Sequence, residues 1–322
     1  MNSRTSSTST NRRPARSEAT FDVLGLGCTA VDDLVYVSGY PPADTKLQVN
    51  RRERHCGGLT ATALVAAARL GCRAAYAGTL GDDPESAFVR ETFAREGVDT
   101  RHVVPRRGAR PVRSVIVVDE SAGTRTILYD VREANGAHPR LPARELVERS
   151  RVLLVDRFGV PGMIRAARLA RSAGRAVVAD LEYRQQPRFA ELQALADHLI
   201  VSEGFARELT GATDAAEAVT RLWREDRAVV VVTCGERGCW WLDAASPEPQ
   251  HLPAFPVTAV DTTGCGDVFH GAYAAALAKG LPLAERLRVA AAAAALKATQ
   301  PGGQPGIPTW RALQQFLRQH IR

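Results

Sequence analysis

The chain has few lysines, few aromatic residues and no Cys-x-x-Cys pair among its 322 residues. Arginine therefore carries most of the net charge of +7, since the only lysines are Lys46, Lys279 and Lys297. The arginines are scattered and form no basic stripe, which argues against a nucleic-acid partner. The six cysteines stand singly in apolar or glycine-rich settings, so we expect reduced thiols in a cytoplasmic protein.

Long hydrophobic runs are also missing. The apolar stretch at residues 290–296 is too short to cross a membrane, so no membrane partner is expected. Residues 1–19 are rich in Ser, Thr and Arg and lack the apolar segment of a secretory signal. We predict a disordered tail over 1–19 and one domain over 20–322.

Two common nucleotide-binding motifs are absent in complete form. No Gly-x-x-x-x-Gly-Lys occurs, which excludes the P-loop kinases. Gly25-Leu26-Gly27 lacks the third glycine and the acidic partner of a dinucleotide site, so an NAD-dependent dehydrogenase is disfavoured.

Short apolar runs alternate with helical patterns along most of the chain. Such runs stand at residues 21–26, 74–78, 152–155, 176–181, 198–201 and 228–233. This rhythm predicts an α/β fold with a mainly parallel central sheet. Two stretches, at about 35–56 and 110–131, alternate apolar and polar residues instead and predict a small second sheet that serves as a lid.

The chemistry is expected in the segment 261–267, which reads Asp-Thr-Thr-Gly-Cys-Gly-Asp. We predict a strand at 256–260 before it and a helix at 268–279 after it. Gly264 and Gly266 allow backbone N–H groups to converge at a helix N-terminus, where an anion is stabilised. Asp267 is placed to act as a general base. The alternative is a glycine-rich turn in which Asp267 only caps the helix.

This segment resembles the C-terminal signature of the PfkB/ribokinase family of carbohydrate kinases. Three further motifs resemble the family in the same order, at residues 56–58 (Cys-Gly-Gly), 81–83 (Gly-Asp-Asp) and 233–238 (Thr-Cys-Gly-Glu-Arg-Gly). The resemblance implies a ribokinase-like three-layer sandwich with a β-sheet lid. It also implies ATP and Mg²⁺ as cofactors and a small-molecule sugar as substrate.

The resemblance assigns roles to individual residues. Asp267 would be the catalytic base, with an anion hole formed by Gly264, Cys265 and Gly266. The sugar would contact Asp32, with Asp33 as an alternative, and Lys46, Gly57, Gly58 and Thr62. The nucleotide would contact Ser202, Thr233, Gly235 and Gly238.

The sequence departs from the family pattern at the central Asn-x-x-Glu motif, where it reads Ser-Glu-Gly-Phe at 202–205. Glu203 is the remaining candidate for a magnesium ligand. Asp261 and Thr263, with the turn at 301–303, lie where some members hold a monovalent cation such as K⁺. Cys265 replaces the usual alanine, either as a filler of similar size, which we favour, or as a thiol with a lowered pKa.

Within the family, the segments 268–272 and 295–308 resemble the sulfofructose kinases. Lys46 would then pair with an anionic group at C6 of the sugar, since the alternation of the lid strand would point its side chain inward to the pocket. We therefore favour a ketohexose-type sugar, either free or carrying a sulfonate or phosphate. A ribose or nucleoside kinase and a non-catalytic sugar sensor remain open alternatives. The exposed edges of the lid strands favour a homodimer through the lid.

Overall fold

The computed structural model describes residues 20–131 and 136–320, so the tail predicted at 1–19 lies outside the described residues. The strands are β1 (Phe21–Gly25), β2 (Ala30–Val37), β3 (Arg51–Gly57), β4 (Ala74–Tyr76), β5 (Thr79–Leu80), β6 (Val104–Pro105), β7 (Val112–Asp119), β8 (Thr124–Asp130), β9 (Ser150–Val155), β10 (Ala176–Asp180), β11 (His198–Ser202), β12 (Val229–Thr233), β13 (Cys239–Asp243) and β14 (Gln250–Leu252). The helices are α1 (Leu59–Arg69), α2 (Pro84–Arg95), α3 (Arg144–Glu148), α4 (Val160–Ser172), α5 (Phe189–Ala194), α6 (Glu203–Thr210), α7 (Ala215–Leu222), α8 (Cys265–Ala278), α9 (Leu283–Ala298) and α10 (Trp310–Gln319).

Eight strands form the central sheet in the order β14-β13-β12-β11-β10-β9-β1-β4, and β13 runs in the opposite direction to the other seven. Both faces of the sheet are covered, which explains why its strands read as unbroken apolar runs. In β9, Val152 and Leu154 point into one hydrophobic core, while Leu153 and Val155 point into the other. The predicted α/β class and the mainly parallel sheet are confirmed.

Helices form a layer on each side of this sheet. Residues of α1, α8, α9 and α10 belong to one core, and residues of α4, α5, α6 and α7 belong to the other. Helices α1 and α8 are rich in buried alanine, and such small side chains allow close packing of helix on helix and helix on sheet. Among the described residues, no helix has the length and apolarity that crossing a membrane requires.

A second sheet, which we call the lid, has the strand order β3-β2-β7-β8. Its bounds differ from the predicted stretches, because residues 38–50 form a loop rather than a strand. Pro41 and Pro42 lack the N–H group that a strand ladder needs, and Asp44 has a positive φ of 58°. Lys46 therefore lies in an exposed loop, and the prediction that strand alternation points it inward is wrong.

The strand predicted at 256–260 is also wrong. The last strand before the motif is β14, and residues 253–259 run outside any sheet. Pro253 and Pro256 remove two backbone donors from this stretch. The chain is held instead at its far end, where the backbone N–H of Val260 donates to the Ala298 carbonyl at 2.7 Å.

Candidate active site

The candidate site lies at the carboxyl ends of the parallel strands, where open α/β sheets bind ligands. Asp156 directly follows β9 and is fully buried. Its carboxylate accepts hydrogen bonds from Cys28 N (2.6 Å), Phe158 N (2.8 Å) and Thr60 Oγ1 (2.9 Å). Burial raises its pKa to about 6, although these hydrogen bonds lower it. Asp156 thus fixes the loop after β1 to the first turn of α1.

The segment 261–267 forms a tight loop that leads into α8. Gly264 precedes the helix in the left-handed conformation, with φ of 73°. A Cβ atom there would lie 2.9 Å from the Gly303 carbonyl oxygen, so glycine is required on both grounds. Because Cys265 begins the helix, the N–H groups of its first turn have no helical acceptors. The N–H of Cys265 donates to the Thr262 carbonyl oxygen at 3.2 Å, so the N–H groups of Gly266 and Asp267 are the ones available to an anion, with the helix dipole behind them.

Asp267 stands in the first turn of α8, and its carboxylate is in acidic surroundings. Burial and the nearby charges of Asp180 and Glu182 raise its pKa well above the usual range. Asp180 is the last residue of β10, and its Oδ2 atom is buried without a hydrogen-bond partner. A raised pKa suits a group that must accept a proton near neutral pH.

His270 lies one turn after the catalytic candidate. Its Nδ1 is 2.8 Å from the Gly266 carbonyl oxygen and 3.3 Å from Asp180 Oδ2. Its Nε2 is 3.0 Å from the carbonyl oxygen of Ile200 in β11. His270 therefore ties the start of α8 to the central sheet.

A cavity of about 420 Å³ opens beside this loop. Its lining includes Thr233, Gly235, Gly238, Cys265 and Gly266. Apolar side chains from the 253–259 segment and from α9 complete it, among them Phe255 and Ala295. The volume and the mostly apolar walls suit an adenine base whose phosphates point toward the loop.

Asp32 lies on β2 of the lid. Its register partner Ser114 donates a hydrogen bond to Asp32 Oδ1, and Asp32 Oδ2 occupies the space in which Gly57 would carry a Cβ. Burial raises the pKa of Asp32, while the bond from Ser114 lowers it. Asp33 points to the opposite face and pairs with Arg54 at 2.7 Å. The two carboxylates therefore lie on opposite faces of the lid, and Asp33 is already engaged in an ion pair.

The structure does not bring every predicted site residue together. Ser202 accepts a hydrogen bond from Phe205 N and caps α6, outside the cavity lining. Glu203 forms an ion pair with Arg237 and belongs to no group of three metal-ligating side chains within the described residues. Thr62 is buried, and its hydroxyl faces Gln304 at 3.4 Å. Gly58, with φ of 97°, precedes the first turn of α1.

Cys265 is half-buried, and its Sγ lies 3.5 Å from the Ala294 carbonyl oxygen. Burial raises the pKa of its thiol, which outweighs the effect of the positive Lys297 nearby. A lowered thiol pKa is therefore wrong, and the side chain serves as a filler between α8 and α9.

Four residues of the site were not predicted from the sequence: Asp156, Asp180, His270 and Lys297. A signal existed for two of them, because Asp156 and Asp180 stand at the ends of apolar strand runs. Carboxyl ends of parallel strands share one edge of a sheet, so these two carboxylates belonged in the candidate list. His270 and Lys297 sit inside helices, and only the tertiary packing reveals their partners.

Comparisons with known proteins show the family of this chain. The family model described as "pfkB family carbohydrate kinase" matches residues 25–310. A fructokinase from Klebsiella pneumoniae is 32% identical over 284 residues, covering 81% of this chain and 91% of that protein. A ribokinase from Haemophilus influenzae is 27% identical over 304 residues, covering 91% of this chain and 97% of that protein.

Solved structures resemble the chain over nearly its whole length. A protein from Agrobacterium tumefaciens, provisionally named a ribokinase, has a TM-score of 0.85 and 30% identity, covering 92% of this chain and 97% of that one. An Escherichia coli protein provisionally named ribokinase II, solved with ATP and Mg²⁺, has a TM-score of 0.80 at 20% identity, covering 92% and 99%. The second likeness shows the fold alone.

The fold and the site define a carbohydrate kinase. The chain belongs to the pfkB family of carbohydrate kinases. Its ribokinase-like fold, with a smaller β-sheet beside the main three-layer domain, is as the sequence predicted.

Proposed function

We propose that the chain transfers the γ-phosphoryl group of ATP to a hydroxyl of a ketohexose-type sugar. The observation that carries the proposal is the position of Asp267 in the first turn of α8, directly after Cys265 and Gly266, which line the cavity. Thr233, Gly235 and Gly238 line the same cavity and would contact the nucleotide. Reduced cysteines and the use of ATP support a cytoplasmic location.

The chemistry needs a base and a stabilised anion close together. Asp267 would accept the proton of the sugar hydroxyl as its oxygen attacks the γ-phosphorus, while the bond to the bridging oxygen breaks and ADP leaves. The N–H groups of Gly266 and Asp267 would stabilise the negative charge on the transferred group. Asp32 would accept hydrogen bonds from other hydroxyls and hold the sugar under the lid.

Mg²⁺ would neutralise charge on the ATP phosphates and orient them. No cluster of three ligating side chains occurs in the described parts of the chain. This fits magnesium, which commonly uses one or two carboxylates together with substrate phosphates. Asp180, whose buried Oδ2 has no hydrogen bond and lies 3.3 Å from the His270 ring, is the most suitable protein ligand, whereas Glu203 is already paired with Arg237.

The sugar is best identified by a coupled assay for ADP with ATP and Mg²⁺ over fructose, ribose, fructose 6-phosphate, a sulfonated fructose and adenosine. The fructokinase relative supports a ketohexose, and the ribokinase relative favours ribose as a second candidate. We expect the largest kcat/KM with a ketohexose. A ribose preference of tenfold or more would overturn the ketohexose assignment, and absence of turnover with every sugar would leave a binding protein.

Lys46 tests whether the sugar carries an anionic group. Lys46 lies in the exposed loop 38–50, which is anchored to the lid by Tyr40 N donating to Asp119 Oδ2 at 2.9 Å. If this loop folds over an anionic sugar, Lys46→Ala should raise KM for the anionic sugar about tenfold and leave KM for fructose within twofold. Equal effects on both sugars would remove the anionic assignment. Lys279→Ala, an exposed lysine at the end of α8, is the control.

We also propose a homodimer through the lid. The face of the lid that carries Asp32 and Ser114 continues through Ile127 and Tyr129, and both of these apolar side chains are exposed. They lie on β8, an edge strand of the lid sheet, where a second copy would cover them.

The dimer is tested by the molar mass from light scattering. Ile127→Glu should convert a dimer to a monomer, because a charge would be buried at the contact. Leu128→Glu places the same charge on the opposite face of the same strand and should leave the mass unchanged. A monomeric parent chain, or equal effects of the two variants, would contradict the proposal.

A further inference from the structure

Lys297 is fully buried, with 0% of its surface exposed, near the end of the alanine-rich helix α9. Its ammonium donates a hydrogen bond to the backbone carbonyl oxygen of Asp261 at 2.7 Å. No ion pair of Lys297 occurs among the described residues. Burial of a charged group without an ion pair is costly, and burial lowers the pKa of Lys297. An alanine, as at most neighbouring positions of α9, would avoid this cost.

The carbonyl that Lys297 holds belongs to the loop of the anion site. The same residue, Asp261, organises the rest of that loop through its carboxylate. Oδ1 accepts hydrogen bonds from Thr263 N (2.8 Å) and Thr263 Oγ1 (2.7 Å), and Oδ2 accepts one from Gly302 N (2.8 Å). The Asp261 N–H donates to the Ala298 carbonyl at 3.1 Å. Lys297 and Ala298 therefore fix one end of the loop, and Asp267 stands at the other.

A soluble monovalent cation does not fit this arrangement. Such a cation was expected at Asp261, Thr263 and the turn at 301–303, and backbone carbonyl oxygens are the ligands that K⁺ prefers. The Asp261 carbonyl oxygen is already bonded to an ammonium that carries the same charge. A second cation beside it would be repelled, with Arg125 adding to the repulsion from its position 3.3 Å from Asp261 Oδ1.

We propose that the Lys297 ammonium is the built-in cation of this site and that transfer needs no soluble monovalent cation. Lys297 is a positioning residue. It holds the Asp261 carbonyl. Through the loop it orients the N–H groups that would stabilise the transferred phosphoryl group. Its charge also favours negative charge developing at the loop. The inference rests on the proposed kinase activity, since its assay follows turnover of ATP with a sugar.

The test measures steady-state turnover of the full chain at fixed ionic strength, with KCl replaced by tetramethylammonium chloride. The parent chain should keep its kcat within twofold between zero K⁺ and about 0.1 M K⁺. The ionic strength is held at about 0.1 M throughout, where the Debye length is about 10 Å, so that screening of charges does not change. Lys297→Ala should lower kcat about 100-fold with KM for the sugar within threefold. Adding K⁺, NH₄⁺ or methylammonium should restore kcat of this variant at least tenfold. Lys279→Ala, a lysine at the end of the neighbouring helix, should show neither effect.

Strong activation of the parent chain by K⁺ overturns the inference while leaving the kinase proposal standing. A folded Lys297→Ala with unchanged kcat, or with a loss that no small cation relieves, also overturns it. If Lys297→Ala fails to fold, Lys297→Met is assayed in its place, and the K⁺ dependence of the parent chain still decides. Absence of turnover with every sugar and every cation contradicts the proposed function itself.

Discussion

Asp267→Asn is expected to lower kcat by about 10²–10⁴-fold, the range that a general base contributes. The amide keeps the shape of the side chain but cannot accept the proton of the sugar hydroxyl. The change should not impair folding, because the raised pKa of Asp267 shows that its surroundings disfavour the negative charge. Affinities for ATP and for the sugar, measured by calorimetry, should stay within threefold.

The matched control is Glu225→Gln, which removes a negative charge from an exposed position after α7. Its kcat and its thermal midpoint should equal those of the parent chain. If Asp267→Asn retains kcat within tenfold while folded, Asp267 is not the base and the loop only binds anions. If the variant loses both turnover and ligand binding, its role is structural.

Asp32→Ala is expected to lower kcat/KM for the sugar by about 10²–10⁴-fold, mainly through KM. Hydrogen bonds to a charged group contribute about 1.5–3 kcal/mol each, and Asp32 is placed to accept two from sugar hydroxyls. The Ser114 hydroxyl also loses its acceptor in this variant. Initial rates over a range of sugar concentrations at saturating ATP separate the effect on KM from that on kcat.

Asp33→Ala provides an unusually close control, because the adjacent side chain points to the other face of the same strand. Asp33 is partly exposed and pairs with Arg54 on β3, so its loss removes only a surface ion pair. KM for the sugar should change by less than threefold. A larger effect from Asp33→Ala than from Asp32→Ala would exchange their roles and place the sugar on the other face of the lid.

The central sheet was predictable because buried parallel strands read as short apolar runs. Val229–Thr233 is an example, with four consecutive valines that alternate between the two cores. The helix start at Asp83 and Pro84 is also readable from the sequence, because an aspartate before a proline is typical of a helix N-terminus, and Asp83 does cap α2 through a bond from Ser86 N. In both places the local sequence and the tertiary structure require the same conformation.

The lid was harder to delimit from the sequence. Apolar and polar residues continue to alternate past Val37, but the two prolines at 41 and 42 end the strand. Strand alternation predicts the direction of a side chain only where a strand forms, and Lys46 lies in a loop. The stretch 256–260 failed for a similar reason, with Pro256 in a run of otherwise strand-forming residues.

The anion-binding loop was recognised from its glycines and its final aspartate. The two side chains that hold this loop in place, Lys297 and His270, were not recognised. Lys297 and His270 act through backbone carbonyl oxygens, at Asp261 and at Gly266 and Ile200. A carbonyl oxygen exists at every residue, so the sequence carries no pattern for such contacts. Their partners lie 36 and 70 residues away for Lys297–Asp261 and His270–Ile200, and only the packed helices bring them together.

The central claim is that this site moves a phosphoryl group from ATP to a sugar. It is tested most directly by ³¹P NMR of the full chain incubated with ATP, Mg²⁺ and fructose. The account predicts a new sugar phosphate monoester resonance that grows in equal amount with ADP and is absent with Asp267→Asn. Consumption of ATP that yields only inorganic phosphate, or no consumption with fructose, ribose or an anionic fructose, would contradict it.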